Sequence, residues 1–187
     1  MSTAHAITLL LIEEGIAARA HFQVWWALRN LAIPKYLPAM NDGRYVDFFH
    51  ASNSGHYKLF FLALSKIFDR DTRVAGISEL KKALRSEGHT RIALRIARDL
   101  KPIEPFVKSL MRIRNQTIVH NEHSVPRSKV YKINGITPNQ LRQVIETVCG
   151  TINAAARDLG ITNTIFEGLR FESATLSMLE RLERGDG

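Results

Sequence analysis

The apolar positions of the chain recur at three- and four-residue steps, the spacing of helices with one buried side. Residues 3 to about 31 read as one long helix, with Leu9, Ile12, Ile16, Ala20, Val24 and Ala27 as its stripe. Ser2 or Thr3 supplies its cap, and Pro34 and Pro38 require a loop beyond it. A second long helix is predicted over 44 to 70. It is most regular where Tyr57, Phe60, Phe61, Leu64, Ile67 and Phe68 share one side, and Asn53-Ser54-Gly55 interrupts its middle. Shorter helices follow over Ile77 to Arg85, His89 to Leu100 and Pro105 to about Val119. Prolines set two of these bounds: the residue before Pro102 disfavours helical geometry, and Pro105 suits a first turn.

Residues 121 to 136 break the helical pattern, and Lys129 to Ile133 alternates like a short strand or an extended loop. Thr137-Pro138-Asn139-Gln140 then carries a capping box with proline at the first helical position. Leu141, Val144, Ile145, Val148, Ile152, Ala155 and Leu159 line the helix it opens, and Gly160 ends that helix. A last helix over 168 to 184 carries Leu169, Leu176, Leu179 and Leu182, followed by a frayed tail to residue 187. The pattern predicts an all-α bundle of two long antiparallel helices plus shorter ones, in a single domain over 1–187. The adjacent pair Trp25-Trp26 points to two faces, so at least one ring is expected to reach a second helix or a partner chain.

Charge adds a partner to this picture. The 187 residues carry 26 Lys and Arg against 18 Asp and Glu, a net charge of +8. Arginine supplies 17 of the 26 cations, and guanidinium favours bidentate phosphate contact. Nucleic acid is the first partner such a balance suggests, with an anionic membrane surface second. Cys149 is the only cysteine, so neither an internal disulfide nor a cysteine zinc cage can form. The apolar run Ile7 to Ile12 lacks preceding Lys or Arg and meets Glu13-Glu14, unlike a secretory signal. No stretch approaches the 18 or so apolar residues of a membrane span. A cytoplasmic protein without membrane attachment is the expectation.

Dinucleotide, P-loop, zincin and CxxC motifs are absent. His120-Asn121-Glu122-His123 offers two histidines three apart, a weak metal signal, and neither metal nor cofactor is expected. Arg91, Arg95 and Arg98 line one helical side at i, i+4 and i+7, with Lys101 near. They form either a solvated face or a phosphate track.

The segment with chemistry is Met111 to His123. Arg114 falls on the side of Val107, Met111 and Ile118, where a guanidinium needs an anionic partner or a groove. Asn115 follows it, and His120 stands six residues on, where the helix is expected to end. Histidine titrates near neutrality and serves as a general base or acid, and guanidinium stabilises a phosphorane-like transition state. An adjacent amide can orient the histidine or bond a ribose or phosphate oxygen. Six residues on an ideal helix rise about 9 Å and leave the two side chains about 120° apart. Either the chain folds back before His120, or two copies of the motif meet across a dimer. Arg44 and His50 repeat the spacing, but Tyr45 follows that arginine, and the pair reads as surface residues at a helix start. Otherwise Arg114 would pair with a carboxylate and His120 would cap the helix.

Arginine, then Asn, Asp or His, then histidine after four to six residues is the mark of HEPN domains. With "LFFLALSKIFDRD" (59–71) upstream of "RIRNQTIVHNEHS" (112–124), the chain resembles their abortive-infection, AbiU-type branch. The resemblance implies a metal-independent ribonuclease of phage-defence or toxin–antitoxin systems. It further implies catalytic roles for Arg114 and His120, an accessory role for Asn115, a homodimer pairing its motifs, and an antitoxin protein as partner. Arg112, His123, Arg91, Arg95 and Arg98 would add RNA contacts. The alternative is a non-catalytic HEPN-type module that binds RNA or another protein.

Overall fold

The computed structural model describes residues 1–115 and 135–185. Its helices are α1 (Thr3–Trp26), α2 (Leu37–Met40), α3 (Val46–Ile67), α4 (Ile77–Ser86), α5 (Thr90–Leu100), α6 (Glu104–Ile113), α7 (Pro138–Asp158) and α8 (Arg170–Arg184). A π-helical turn, Ala27–Leu31, extends α1, and a 3-10 turn, Lys101–Ile103, joins α5 to α6. No strand occurs among the described residues, and the expected all-α architecture holds. The two long helices run antiparallel: Glu14 of α1 meets Lys66 of α3, whereas His21, two turns on, meets His56, ten residues back. The expected strand or loop at Lys129 to Ile133 lies outside the described residues.

Two expectations between α1 and α3 need correction. Pro38 does not lie in a loop but opens the short helix α2, where its fixed φ suits the first turn. Asn53-Ser54-Gly55 does not interrupt α3, which is continuous; a side chain on Gly55 would meet nothing within 4 Å.

The helices fall into two compact units. The first contains Met1–Ala18 and Phe61–Phe166. Ile77, Leu80, Ala83 and Leu84 of α4, and Ile92, Ala93, Ile96 and Leu100 of α5, are buried here. So are Leu141, Val144, Ile145, Val148, Ile152 and Ala155 of α7, the predicted stripe apart from half-buried Leu159. The capping box forms as expected: Gln140 N donates to Thr137 Oγ1 at 3.3 Å and Thr137 N to Gln140 Oε1 at 2.8 Å. At the start of α1, Ser2 Oγ accepts from His5 N, and Glu87 Oε1, just past α4, accepts from Ala4 N. These contacts satisfy donors that a helix N-terminus leaves free.

The buried row of α1 differs from the predicted one. In this unit it runs through Ala4, Thr8, Leu11, Gly15 and Ala18; Ile12 of the predicted stripe is buried beside it, whereas Leu9 and Ile16 are only half-buried. At Gly15 a neighbour approaches closely: a Cβ there would collide with Cδ1 of Ile165. Asn153 holds Ile165 there, donating from Nδ2 to its carbonyl at 2.9 Å and accepting from its N–H at 2.8 Å.

The second unit contains Arg19–Phe60 and Glu167–Gly187. Phe22, Trp25, Trp26 and Phe60 are buried in it, with Tyr57 beside them. Trp25 packs on Tyr57 and Phe60 of α3, so the expected reach to a second helix is met. Both tryptophans are only 7% exposed, so neither ring is left for a partner chain to cover. Leu28, Ala32, Tyr36, Phe49 and Leu179 form a further cluster, bordered by Leu176 and Leu182. Leu169 does not join it. It precedes α8 as the N-cap and is half exposed. Gln23 ties the start of α8 to α1, donating to Gly168 O at 2.8 Å and accepting from Phe171 N at 3.1 Å.

Candidate functional site

α6 begins with Glu104 and Pro105 and buries Leu110 and Ile113, which fixes the rotation at which the motif leaves it. Beyond Ile113 the backbone widens into a π-helical turn that takes in Arg114 and Asn115. The straight α-helix assumed in spacing Arg114 from His120 therefore ends at Ile113. Wider turns of this kind recur at functional sites. Arg112 is exposed, whereas Arg114 is half-buried.

Arg114 Nη1 donates to Asn115 Oδ1 at 2.8 Å. Its Nε is buried and has no hydrogen-bond acceptor among the described residues. Among the described residues no carboxylate pairs with Arg114. A half-buried guanidinium without a counter-charge retains its attraction for an anion. Asn115 thus holds the arginine by one amino group, and Nε meets no acceptor among the described residues. His120 and His123 lie outside the described residues, as do Glu122 and the weak HxxH metal signal.

Arg91, Arg95 and Arg98 do come together, in an open groove on α5 that Asp158 of α7 also lines. They are not equally free. Arg95 Nη2 lies 2.7 Å from Asp158 Oδ2, and Arg98 Nη2 lies 2.9 Å from Asp99 Oδ1. Arg91 is exposed and has no ion-pair partner among the described residues. Arg44 forms a bidentate contact with Asp42, and His50 is exposed, as expected of surface residues.

A family model described as AbiU2, of the HEPN type, matches residues 1–170. The chain belongs to this family. No curated protein and no solved structure matches it. The match spans both the aromatic stretch of α3 and the Arg114 segment of this AbiU2-family chain, the two stretches on which the sequence resemblance rested. No helix among the described residues is long and apolar enough to cross a membrane.

One pair escaped the sequence reading of this AbiU2-family chain. In the second unit, His21 Nδ1 and His56 Nδ1 stand 2.9 Å apart, with ring centroids at 5.0 Å. The rings meet nearly head to head, so one Nδ1–H serves both, donated by one ring and accepted by the other. Nothing in either local sequence signals this, because the partners stand 35 residues apart on different helices. Burial lowers the pKa of each from its usual value near 6.5, and the charge of His21 lowers that of His56 further. A depressed histidine contributes stability that is present above the unfolded value of about 6.5 and is lost as pH falls through the folded one. Thermal midpoints followed by tryptophan fluorescence should therefore drop between pH 7.5 and pH 5.5. His56→Gln, which cannot acquire charge, should show a smaller drop, and an equal drop would remove the pair as its source.

Proposed function

We propose that this AbiU2-family protein is a metal-independent endoribonuclease of a phage-defence or toxin–antitoxin system. The observation that carries the reading is the Arg114 guanidinium, half-buried, steadied by Asn115, and unpaired by any carboxylate among the described residues. Such a group suits the charge that gathers on phosphorus during cleavage.

The reaction needs a base to take the proton of the ribose 2′-hydroxyl and an acid to protonate the departing 5′-oxygen. The 2′-oxygen forms a bond to phosphorus as the bond to the 5′-oxygen breaks, leaving a 2′,3′-cyclic phosphate. His120 is assigned one of these proton transfers and Arg114 the phosphoryl oxygens. In a homodimer that pairs two motifs, the His120 of one copy serves as base and that of the other as acid.

The charge distribution supports RNA as the partner. The first unit holds 18 Lys and Arg against 11 Asp and Glu, and the second only 8 against 7. The excess thus sits on the unit with α5, Arg112 and Arg114, where phosphates would be attracted. Arg112 and the arginines of α5 are assigned to affinity rather than to proton transfer.

Incubating the purified protein with total RNA, with and without EDTA, tests the reading. The expected result is cleavage in both, with cyclic-phosphate or 3′-phosphate ends, by a protein that light scattering finds dimeric. RNA bound but left intact would favour the non-catalytic module. A strict monomer that still cuts RNA would remove the paired site.

A further inference from the structure

The outward side of α5 presents Arg91, Leu94, Arg95 and Arg98, while Ile92, Ala93, Ile96 and Leu100 are buried on the other. Across the groove stands Asp158, the last residue of α7. A helix C-terminus carries partial negative charge, so a carboxylate is disfavoured there unless a cation holds it. Arg95 is that cation, at 2.7 Å. The contact is an ion pair without an aligned hydrogen bond: Arg95 Nη2 is buried and its N–H groups do not point at an acceptor. The two charges attract, yet the directional capacity of Nη2 is unused.

We infer that Asp158 occupies the place of an RNA phosphate in the α5 groove and competes with RNA for Arg95. The inference rests on the proposed action on RNA. A phosphodiester carries one negative charge, as Asp158 does, and offers oxygens that an arginine fork binds in parallel. Exchange of one anion for the other preserves the charge around Arg95. The displaced carboxylate returns to water readily, since its side chain is already 40% exposed. Arg91, without an ion-pair partner among the described residues, and Arg98, paired with its neighbour Asp99, flank Arg95 at the distance of one helical turn, and Arg91 extends the contact to a neighbouring phosphate. Leu94, 59% exposed between them, gives an apolar surface that fits a nucleoside and has no use for a free phosphate ion. Asp158 thereby sets a threshold: short or weakly held RNA does not dislodge it, whereas a strand anchored elsewhere on the protein does.

The test is fluorescence anisotropy with a labelled single-stranded oligoribonucleotide, using full-length protein carrying Arg114→Ala to prevent cleavage. Adding Asp158→Asn should tighten binding roughly three- to tenfold. The slope of log K against log salt should steepen by about 0.7, the share of one phosphate on a single strand. Arg95→Ala added to Asp158→Asn should abolish the gain, and circular dichroism should show all variants helical. Inorganic phosphate at millimolar concentration should leave the oligonucleotide bound; its displacement would assign the groove to free phosphate and overturn the inference. Binding of the oligonucleotide with no gain from Asp158→Asn would overturn the inference and leave the ribonuclease proposal standing. Absence of oligonucleotide binding in every variant would defeat both.

Discussion

His120→Ala is expected to lower RNA cleavage on the order of 100-fold or more, the usual scale of a lost proton-transfer group. Arg114→Ala should lose a comparable amount, because the proposed mechanism sets its guanidinium against charge that develops only in the transition state. Arg114→Lys should recover little of it, since an ammonium cannot reproduce the planar fork. Asn115→Ala should cost less, about tenfold; it frees the one amino group of Arg114 that Asn115 holds. His123→Ala should have the smallest effect. Arg114→Ala should remain folded, because the residue is only half-buried and no carboxylate among the described residues loses a counter-charge. Activity should fall below about pH 6.5 if a neutral histidine takes the first proton. The measurement is single-turnover cleavage of a labelled RNA by proteins whose circular dichroism matches wild type. Full activity in folded His120→Ala would overturn the mechanism and favour the binding module.

Helices were legible wherever bulky apolar residues and caps carried the signal. The stripe of Phe60, Phe61, Leu64 and Ile67 is buried as the spacing required, and Thr137 to Gln140 forms both bonds of its capping box. The row of α1 and of the turn that extends it was legible only in part: Ile12 and Ala27 are buried as predicted, whereas Leu9 and Ile16 are half-buried. Periodicity gives weight to large side chains, but Gly15 is buried where Ile165 packs so closely that any side chain would collide. That contact depends on Asn153, more than 130 residues away in sequence. The site divides in the same way. Arginines at i, i+4 and i+7 had to share a side of α5, and they do. Which of them is neutralised depends on Asp158, brought by tertiary structure alone. Arg98 differs, since its partner Asp99 is its neighbour in the chain. The Arg114–Asn115 bond is equally local, whereas the His21–His56 pair needed two helices in register.

Phe60→Ala should produce the largest loss of stability among single substitutions in the second unit. The ring is fully buried and lies 5.6 Å from Phe22, 5.4 Å from Trp25 and 5.4 Å from Tyr57, centroid to centroid. Its removal forfeits the transfer free energy of a large side chain and leaves a cavity walled by three rigid rings. Rigid rings relax poorly into a gap, so the cost belongs at about 3–5 kcal/mol. For a chain of this length that lowers the thermal midpoint by roughly 10 °C. Phe48 is the control: it stands on the same helix, is 60% exposed, and touches Phe49 edge-on. Phe48→Ala should change stability by no more than about 0.5 kcal/mol. Tryptophan fluorescence during melting reports the cluster directly, since Trp25 packs on Phe60. A midpoint within about 2 °C of wild type for Phe60→Ala would show that the aromatic cluster does not limit the stability of this unit. The ring would then owe its burial to neighbours that close over the gap.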